Sequence, residues 1–282
     1  MNYILSILKI LRPLNIMLSL ISAITAAFLI GELESPLLPY AIITILSYCG
    51  GANILNDILD IHIDKINRPE RILPSGKLKI VEAIFIMITL FIIGIISSTY
   101  ILAIGKNISL FIVLPLLILY TPILKKIPFI GNLVIGIIIG IVFIFIEGAL
   151  LNNIVHMWTP FLLATILSTI RELSKDAEDV IGDSIYNFQT FPKKFGLIST
   201  LWLLRFLSII LCLYAIFPWI DGHYGIIYLV LLIIGIIIPL FYNIFYILNK
   251  QSIYSDYSIV SKNLKGITII GIFVILSTAI NF

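Results

Sequence analysis

The chain has 282 residues, 60% of them hydrophobic and only 12% charged, about half the charged share of an ordinary soluble domain. A soluble core of this size needs a charged shell, and these residues cannot make one. Isoleucine alone fills 66 positions, and the apolar residues come in runs of roughly 20, the length that crosses a hydrocarbon core of about 30 Å. The net charge of +3 says little as a total, because in a bilayer the position of each charge matters more than the sum. No basic cluster lies on a solvated domain, so a nucleic-acid partner is not expected. Cys49 and Cys212 sit in apolar runs, which argues for buried small side chains rather than a disulfide framework or a cysteine metal site.

Taken in chain order, the apolar runs predict nine membrane-spanning helices, at roughly 13–31, 38–59, 79–103, 107–121, 130–150, 157–174, 197–217, 224–248 and 265–281. The expected fold is therefore an all-α polytopic membrane protein, one domain over residues 1–282. The first run follows Lys9 and Arg12 and is long for a signal sequence, so it reads as a retained helix. Of the 18 Lys and Arg residues, 16 fall in or beside the N-terminus and alternate connections. By the positive-inside rule that set is cytoplasmic, which puts the N-terminus inside and, with an odd span count, the C-terminus outside. Lys250, Lys262 and Lys265 on the same face suit anionic lipid headgroups.

Two acidic clusters interrupt this charge poverty. In the first, Asn53, Asn56, Asp57, Asp60 and Asp64 fall within about 100° of arc on a helix and share one face. In the second, Asp176, Asp179 and Asp183 repeat the spacing of Asp57, Asp60 and Asp64 at an offset of 119 residues, with Glu172 in the place of Asn53 and Lys175 in that of Asn56. The clusters close predicted helices four spans apart, so both return to one face of the membrane and can meet across a central cavity, where repeat proteins commonly place their site. Carboxylates converging there repel, at about 4 kcal/mol for a pair 4 Å apart at an effective dielectric of 20. A cation is needed between them. Oxygen ligands without paired His or Cys favour a hard divalent ion, and Mg²⁺ usually completes its octahedron with water and substrate phosphates. The constellation thus points to a diphosphate held through Mg²⁺.

These residues resemble the membrane prenyltransferase family related to 4-hydroxybenzoate polyprenyltransferase. The family's Asn-Asp-x-x-Asp-x-x-x-Asp signature is met by Asn56, Asp57, Asp60 and Asp64, and its second Asp-x-x-x-Asp by Asp179 and Asp183. The likeness extends to Arg12-Pro13-x-Asn15, the Asn67-Arg68-Pro69 and Pro74-Ser75-Gly76 loop, Tyr120 with Lys125 and Lys126, and Pro192 to Gly196. It implies nine helices around a central cavity, cytoplasmic loops capping the acidic clusters, and transfer of a prenyl group from an isoprenoid diphosphate. Implied metal ligands are Asn56, Asp60, Asp64, Asp176, Asp179 and Asp183, with Asp57 as a further ligand or an orienting group. Diphosphate and phosphate donors would come from Arg12, Arg68, Tyr120, Lys125, Lys126, Arg171, Lys175, Lys193 and Lys194, and which of them reach the site is open. Tyr120, Tyr186, Phe188 and Phe191 are candidates to shield an allylic cation or to serve as interfacial aromatics. His62 points away from the acids by helical angle.

Within the family, Arg171-Glu172-x-x-Lys175-Asp176-x-Glu178-Asp179-x-x-Gly182-Asp183 looks most like the archaeal enzymes that add a second geranylgeranyl chain to geranylgeranylglyceryl phosphate. A phosphorylated lipid acceptor would employ Arg171 and Lys175 beside Lys193 and Lys194, although both could equally pair with Glu172 and Glu178. The alternatives are an aromatic acceptor such as 4-hydroxybenzoate and, from another class, a divalent-cation transporter. A transporter would place its acids near the midplane with an exit on the far side. The acids here close the helices, and the outer loops offer only Glu32, Glu34 and Asp221.

Overall fold

The computed structural model describes residues 3–185 and 189–279, with the side chains of Asn67 and of residues 181–185 outside the description. The described residues are helical or irregular, without strands. Eleven helical segments follow: α1 (Tyr3–Ile10), α2 (Pro13–Leu29), α3 (Leu38–Leu59), α4 (Ile61–Asn67), α5 (Ile80–Ser98), α6 (Ala103–Tyr120), α7 (Ile130–Leu151), α8 (Trp158–Ile185), α9 (Phe191–Ile220), α10 (Ile226–Ile247) and α11 (Tyr254–Leu276). Helices dominate because lipid offers no partner for a backbone N–H or C=O, and only internal pairing satisfies them.

Each of the nine predicted runs falls mainly within helix. Seven of the helices are long and apolar enough to cross a membrane, and α1 with α2 makes an eighth if that pair, bent by 53°, is one span. The bend has a local cause. Arg12 adopts the left-handed region at φ 56°, and Pro13 opens α2 with its fixed φ and no N–H to satisfy. Helix α8 is not among the seven; its second half carries Arg171, Glu172, Lys175, Asp176, Glu178 and Asp179, and it runs on past the predicted end at 174.

The chain divides into two compact units. The first contains residues 1–124 and 142–157, and the second residues 125–141 and 158–282, so α7 contributes to both. In the first unit α3 packs against α2 and α5. Gly94 of α5 lets the Tyr48 ring lie against its backbone, where a Cβ would collide with the ring. Small residues at such crossings allow close helix approach in membranes. Ile10, Ile54, Ile72, Leu73, Leu78 and Ala83 form a core beneath the segment that follows α4.

In the second unit α8 packs against α9 and α11 over Ile170, Leu173, Leu201, Leu204, Tyr257 and Leu264. Two buried phenols find backbone acceptors: Tyr228 donates to the Ala215 carbonyl (2.8 Å) and Tyr257 to that of Leu197 (3.1 Å). Both units share one device. A wide π turn covers Ile108–Val113 in α6 and Ile233–Ile237 in α10, each ending two residues before a proline, Pro115 or Pro239. Proline cannot donate the next helical hydrogen bond, and a wide turn absorbs that defect without breaking the helix.

Candidate active site

The first cluster lies at the junction of α3 and α4. The helix bends at Asp60 (φ −90°, ψ 4°), yet Asp60 N–H still donates to the Asn56 carbonyl and Asp64 N–H to that of Asp60, both at 2.9 Å. The ladder therefore continues through the bend and keeps the three aspartates in register. Asp57, Asp60 and Asp64 are each 5% exposed, whereas His62 between them is exposed, as helical phase requires. Buried carboxylates demand cations or several donors.

Two arginines from other segments meet them. Arg12 Nη2 lies 2.5 Å from Asp57 Oδ1, and Arg71 Nη1 lies 2.5 Å from Asp64 Oδ2 and 3.5 Å from Asp57 Oδ1. The left-handed turn at Arg12 follows α1 and immediately precedes α2. Arg71 is brought back over the helix because the next residues, Ile72 and Leu73, are buried in the apolar core. Ser75, Gly76 and Lys77 N–H groups then close on the Arg71, Leu73 and Ile72 carbonyls. Gly76, at φ 70°, supplies the left-handed residue that this turn needs. Burial pushes the Asp64 carboxyl above its usual pKa, and the Arg71 guanidinium acts against that shift. Asn53 Nδ2 donates to the Leu11 carbonyl (3.0 Å), and Thr121 donates to Asn56 Oδ1, tying α3 to α1 and to the segment after α6.

The second cluster is built differently. Glu172 draws two cations from its own helix: Arg171 Nη1 lies 3.0 Å from Glu172 Oε1, and Lys175 Nζ 3.1 Å from Glu172 Oε2. Both bases therefore pair with Glu172. Glu178 instead accepts from Ser258 Oγ of α11 (2.9 Å). Asn132 of α7, 5% exposed, donates to Asp176 Oδ2 at 2.7 Å. Asp176 and Asp179 are half-buried. Asp183, Tyr186 and Phe188 lie outside the described side chains, as does Asn67.

Among the basic candidates, Arg68, Lys125 and Lys193 are half-buried, whereas Lys126 and Lys194 are exposed. Lys193 and Lys194 stand in the first turn of α9, where Lys194 Nζ is 5.3 Å from the Phe195 ring and Phe191 packs on Phe129 and Phe195. Tyr120 is half-buried at the end of α6, beside the Thr121 that serves Asn56.

Arg71, Thr121 and Asn132 were not singled out by the sequence, and neither was Glu147. That acid, wholly buried in α7, accepts from the N–H groups of Val155 (3.0 Å), His156 (2.8 Å) and Met157 (3.0 Å). Three backbone donors compensate the buried carboxylate, and it anchors the connection leading to α8. The available signal was a lone acid, and for Asn132 a lone amide, in an otherwise apolar run, because such groups at membrane depth are costly.

Among the described residues no three His, Cys, Asp or Glu side chains converge closely enough to enclose a metal by themselves. The first cluster's donor set, Asn56, Asp57, Asp60 and Asp64, is nonetheless oxygen only and largely buried. That chemistry fits Mg²⁺, which takes one or two carboxylates and draws its other ligands from water and substrate phosphates.

Comparisons with known proteins agree with the site and the fold. The chain is 31% identical over 261 residues to the digeranylgeranylglyceryl phosphate synthase of Methanosphaera stadtmanae, covering 92% of this chain and 93% of that protein. A solved structure described as that of digeranylgeranylglyceryl phosphate synthase in membranes superposes with a TM-score of 0.79 at 31% identity, covering 99% of both chains. A UbiA homolog from Archaeoglobus fulgidus, bound to GPP and Mg²⁺, shares the fold at 16% identity with a TM-score of 0.70, over 96% of this chain and 99% of its own. Residues 19–261 match the UbiA prenyltransferase family across both structural units, and the chain belongs to that family.

Proposed function

We propose that the protein is a Mg²⁺-dependent prenyltransferase that transfers a geranylgeranyl group from geranylgeranyl diphosphate to geranylgeranylglyceryl phosphate, forming the diether core of an archaeal membrane lipid. The observation that carries this reading is the nearly full-length 31% identity to a digeranylgeranylglyceryl phosphate synthase. The acidic signatures beginning at Asn56 and at Asp176 support it independently.

In this reading Asn56, Asp60 and Asp64 in the first cluster, and Asp176, Asp179 and Asp183 in the second, hold magnesium on the donor's diphosphate, with Asp57 as a further ligand or an orienting group. The bound metal would neutralise charge developing on the leaving diphosphate, which lowers the barrier to breaking the allylic C–O bond. The chain's own groups do the rest. Arg12 and Arg71 hold Asp57 and Asp64 in place and balance their charge. Arg68, Tyr120, Lys125, Lys126, Lys193 and Lys194 donate to diphosphate oxygens. Arg171 and Lys175, besides serving Glu172, are placed on the acceptor's phosphate. Phe191 and Tyr120 shield the allylic cation from water.

The finer topology belongs to the same proposal. It has nine spans, with α1 and α2 together as the first and α8 among them, cytoplasmic loops over the acids, a cytoplasmic N-terminus and an outer C-terminus. The positive-inside distribution supports it. Although the chain forms two compact units, we treat residues 1–282 as one catalytic domain, since the family match runs through both.

The test is product identification by mass spectrometry. Geranylgeranyl diphosphate is offered to the reconstituted protein with geranylgeranylglyceryl phosphate and, in parallel, with 4-hydroxybenzoate. A digeranylgeranylglyceryl phosphate product with no prenylated benzoate supports the proposal. The reverse outcome replaces the acceptor, and ion flux without any prenyl transfer replaces the function.

A further inference from the structure

Arg205, in the middle of α9, carries a charge that the proposed reaction does not use. Its Nη2 donates to the Leu248 carbonyl (3.2 Å), and its guanidinium carbon lies 5.4 Å from the Trp202 ring and 5.3 Å from the Phe245 ring. Its Nε is buried without an acceptor. Among the described residues no carboxylate pairs with it. Asp256, in the first turn of α11, accepts from the Ile253 N–H (2.9 Å), and Glu178 of α8 accepts from Ser258. A guanidinium has five N–H donors and keeps its charge at any physiological pH. Among the described residues the protein supplies one hydrogen bond, two rings and the nearby phenol of Tyr257, none of them an anion.

The surroundings show at what level this cation sits. Leu248 follows the last turn of α10 and is succeeded by the polar run Asn249, Lys250, Gln251 and Ser252. Trp202 is 54% exposed, and the exposed rings of Tyr242 and Tyr246 stack 5.1 Å apart on the outer face of α10. Exposed Trp and Tyr beside a helix end mark the level of lipid headgroups. At that level a long basic side chain ordinarily reaches outward to water. Arg205 is instead tied sideways to a backbone carbonyl and held between rings, and it remains half-buried beside the exposed Trp202. The group that meets a guanidinium fork at headgroup depth is a phosphate.

We infer that Arg205, covered by Trp202 and bonded to the carbonyl of Leu248 two residues before Lys250, forms a binding site for the phosphate of an anionic membrane phospholipid on the outer surface of α9 and α10. The inference is independent of the acceptor assigned above. It concerns a structural lipid held against the protein, and it uses no residue placed in the prenyl-transfer machinery.

The experiment reads the lipid beside Trp202 directly. Replacing Trp158→Phe and Trp219→Phe leaves Trp202 as the single tryptophan. That protein is reconstituted into phosphatidylcholine vesicles containing a minor fraction of bromine-labelled phosphatidylglycerol or, separately, bromine-labelled phosphatidylcholine. Stronger quenching by the anionic lipid is expected, corresponding to about fivefold local enrichment, the ratio expected for about 1 kcal/mol per basic residue near an anionic surface. Adding Arg205→Gln should bring the two lipids level, and millimolar inorganic phosphate should leave the preference unchanged. Equal quenching with Arg205 present, a preference that survives Arg205→Gln, or one abolished by free phosphate each overturns the assignment. The comparison between lipids is made within one reconstituted protein, so it decides the question even if the arginine variant fails to insert.

Discussion

The two acidic clusters share their spacing but not their electrostatics. In the first, three aspartates are 5% exposed, and arginines brought from separate segments, Arg12 before α2 and Arg71 in the turn after α4, balance them. In the second, Asp176 and Asp179 are more open, and the buried Glu172 takes both neighbouring bases of its own helix. A repeated motif therefore does not dictate a repeated environment. Asp57 and Asp64 of the first cluster depend on tertiary structure for their cations, while Glu172 of the second is paired with residues one and three positions away.

That contrast can be broken experimentally, and the largest expected effect tests what the clusters have in common. Exhaustive chelation should remove all prenyl transfer, and added Mg²⁺ should restore it, measured as product by mass spectrometry. Full activity after chelation would contradict the metal reading for both clusters. Arg71→Ala should then separate them. It leaves two buried carboxylates without one of their cations, which costs about 3 kcal/mol or more, and the midpoint of thermal unfolding in detergent should fall accordingly. Arg171→Ala leaves the buried Glu172 with Lys175 as a cation, so its midpoint should fall by clearly less than that of Arg71→Ala. Equal shifts in the two variants would show that the origin of the cation is immaterial.

The next effect down concerns Asn132, whose amide donates to Asp176. A hydrogen bond to a charged group contributes about 1.5–3 kcal/mol, so Asn132→Leu should lower the unfolding midpoint modestly and slow turnover by disordering Asp176. An unaltered turnover would remove Asn132 from the set of groups that position this cluster.

Much of the fold was legible because hydropathy and helical phase are local. The nine apolar runs all fall mainly in helix, and the burial of Asp57, Asp60 and Asp64 opposite an exposed His62 follows from 100° per residue. The break at Asp60 was not legible, since the hydrogen-bond ladder continues across it and no proline or glycine marks it. Arg71 was missed because its position depends on Ile72 and Leu73 docking into a core formed by distant residues. Glu147 was missed because its partners are backbone N–H groups of a following loop, which carry no side-chain signature. Arg12, expected from sequence as a phosphate donor, and Arg71, which was not, both meet carboxylates here; the separate chain segments that bring the pairs together are what spacing alone cannot convey.

The central claim is that both clusters serve one reaction despite their different surroundings. Asp60→Ala and Asp179→Ala, each made alone in the full chain and checked for an intact helical fold by circular dichroism, put it to the most direct test. Removing a group that stabilises transition-state charge costs about 10²-fold or more, so each variant should lose geranylgeranyl transfer to that extent. Near-normal turnover in either one would leave a single cluster responsible for the chemistry and would contradict the account.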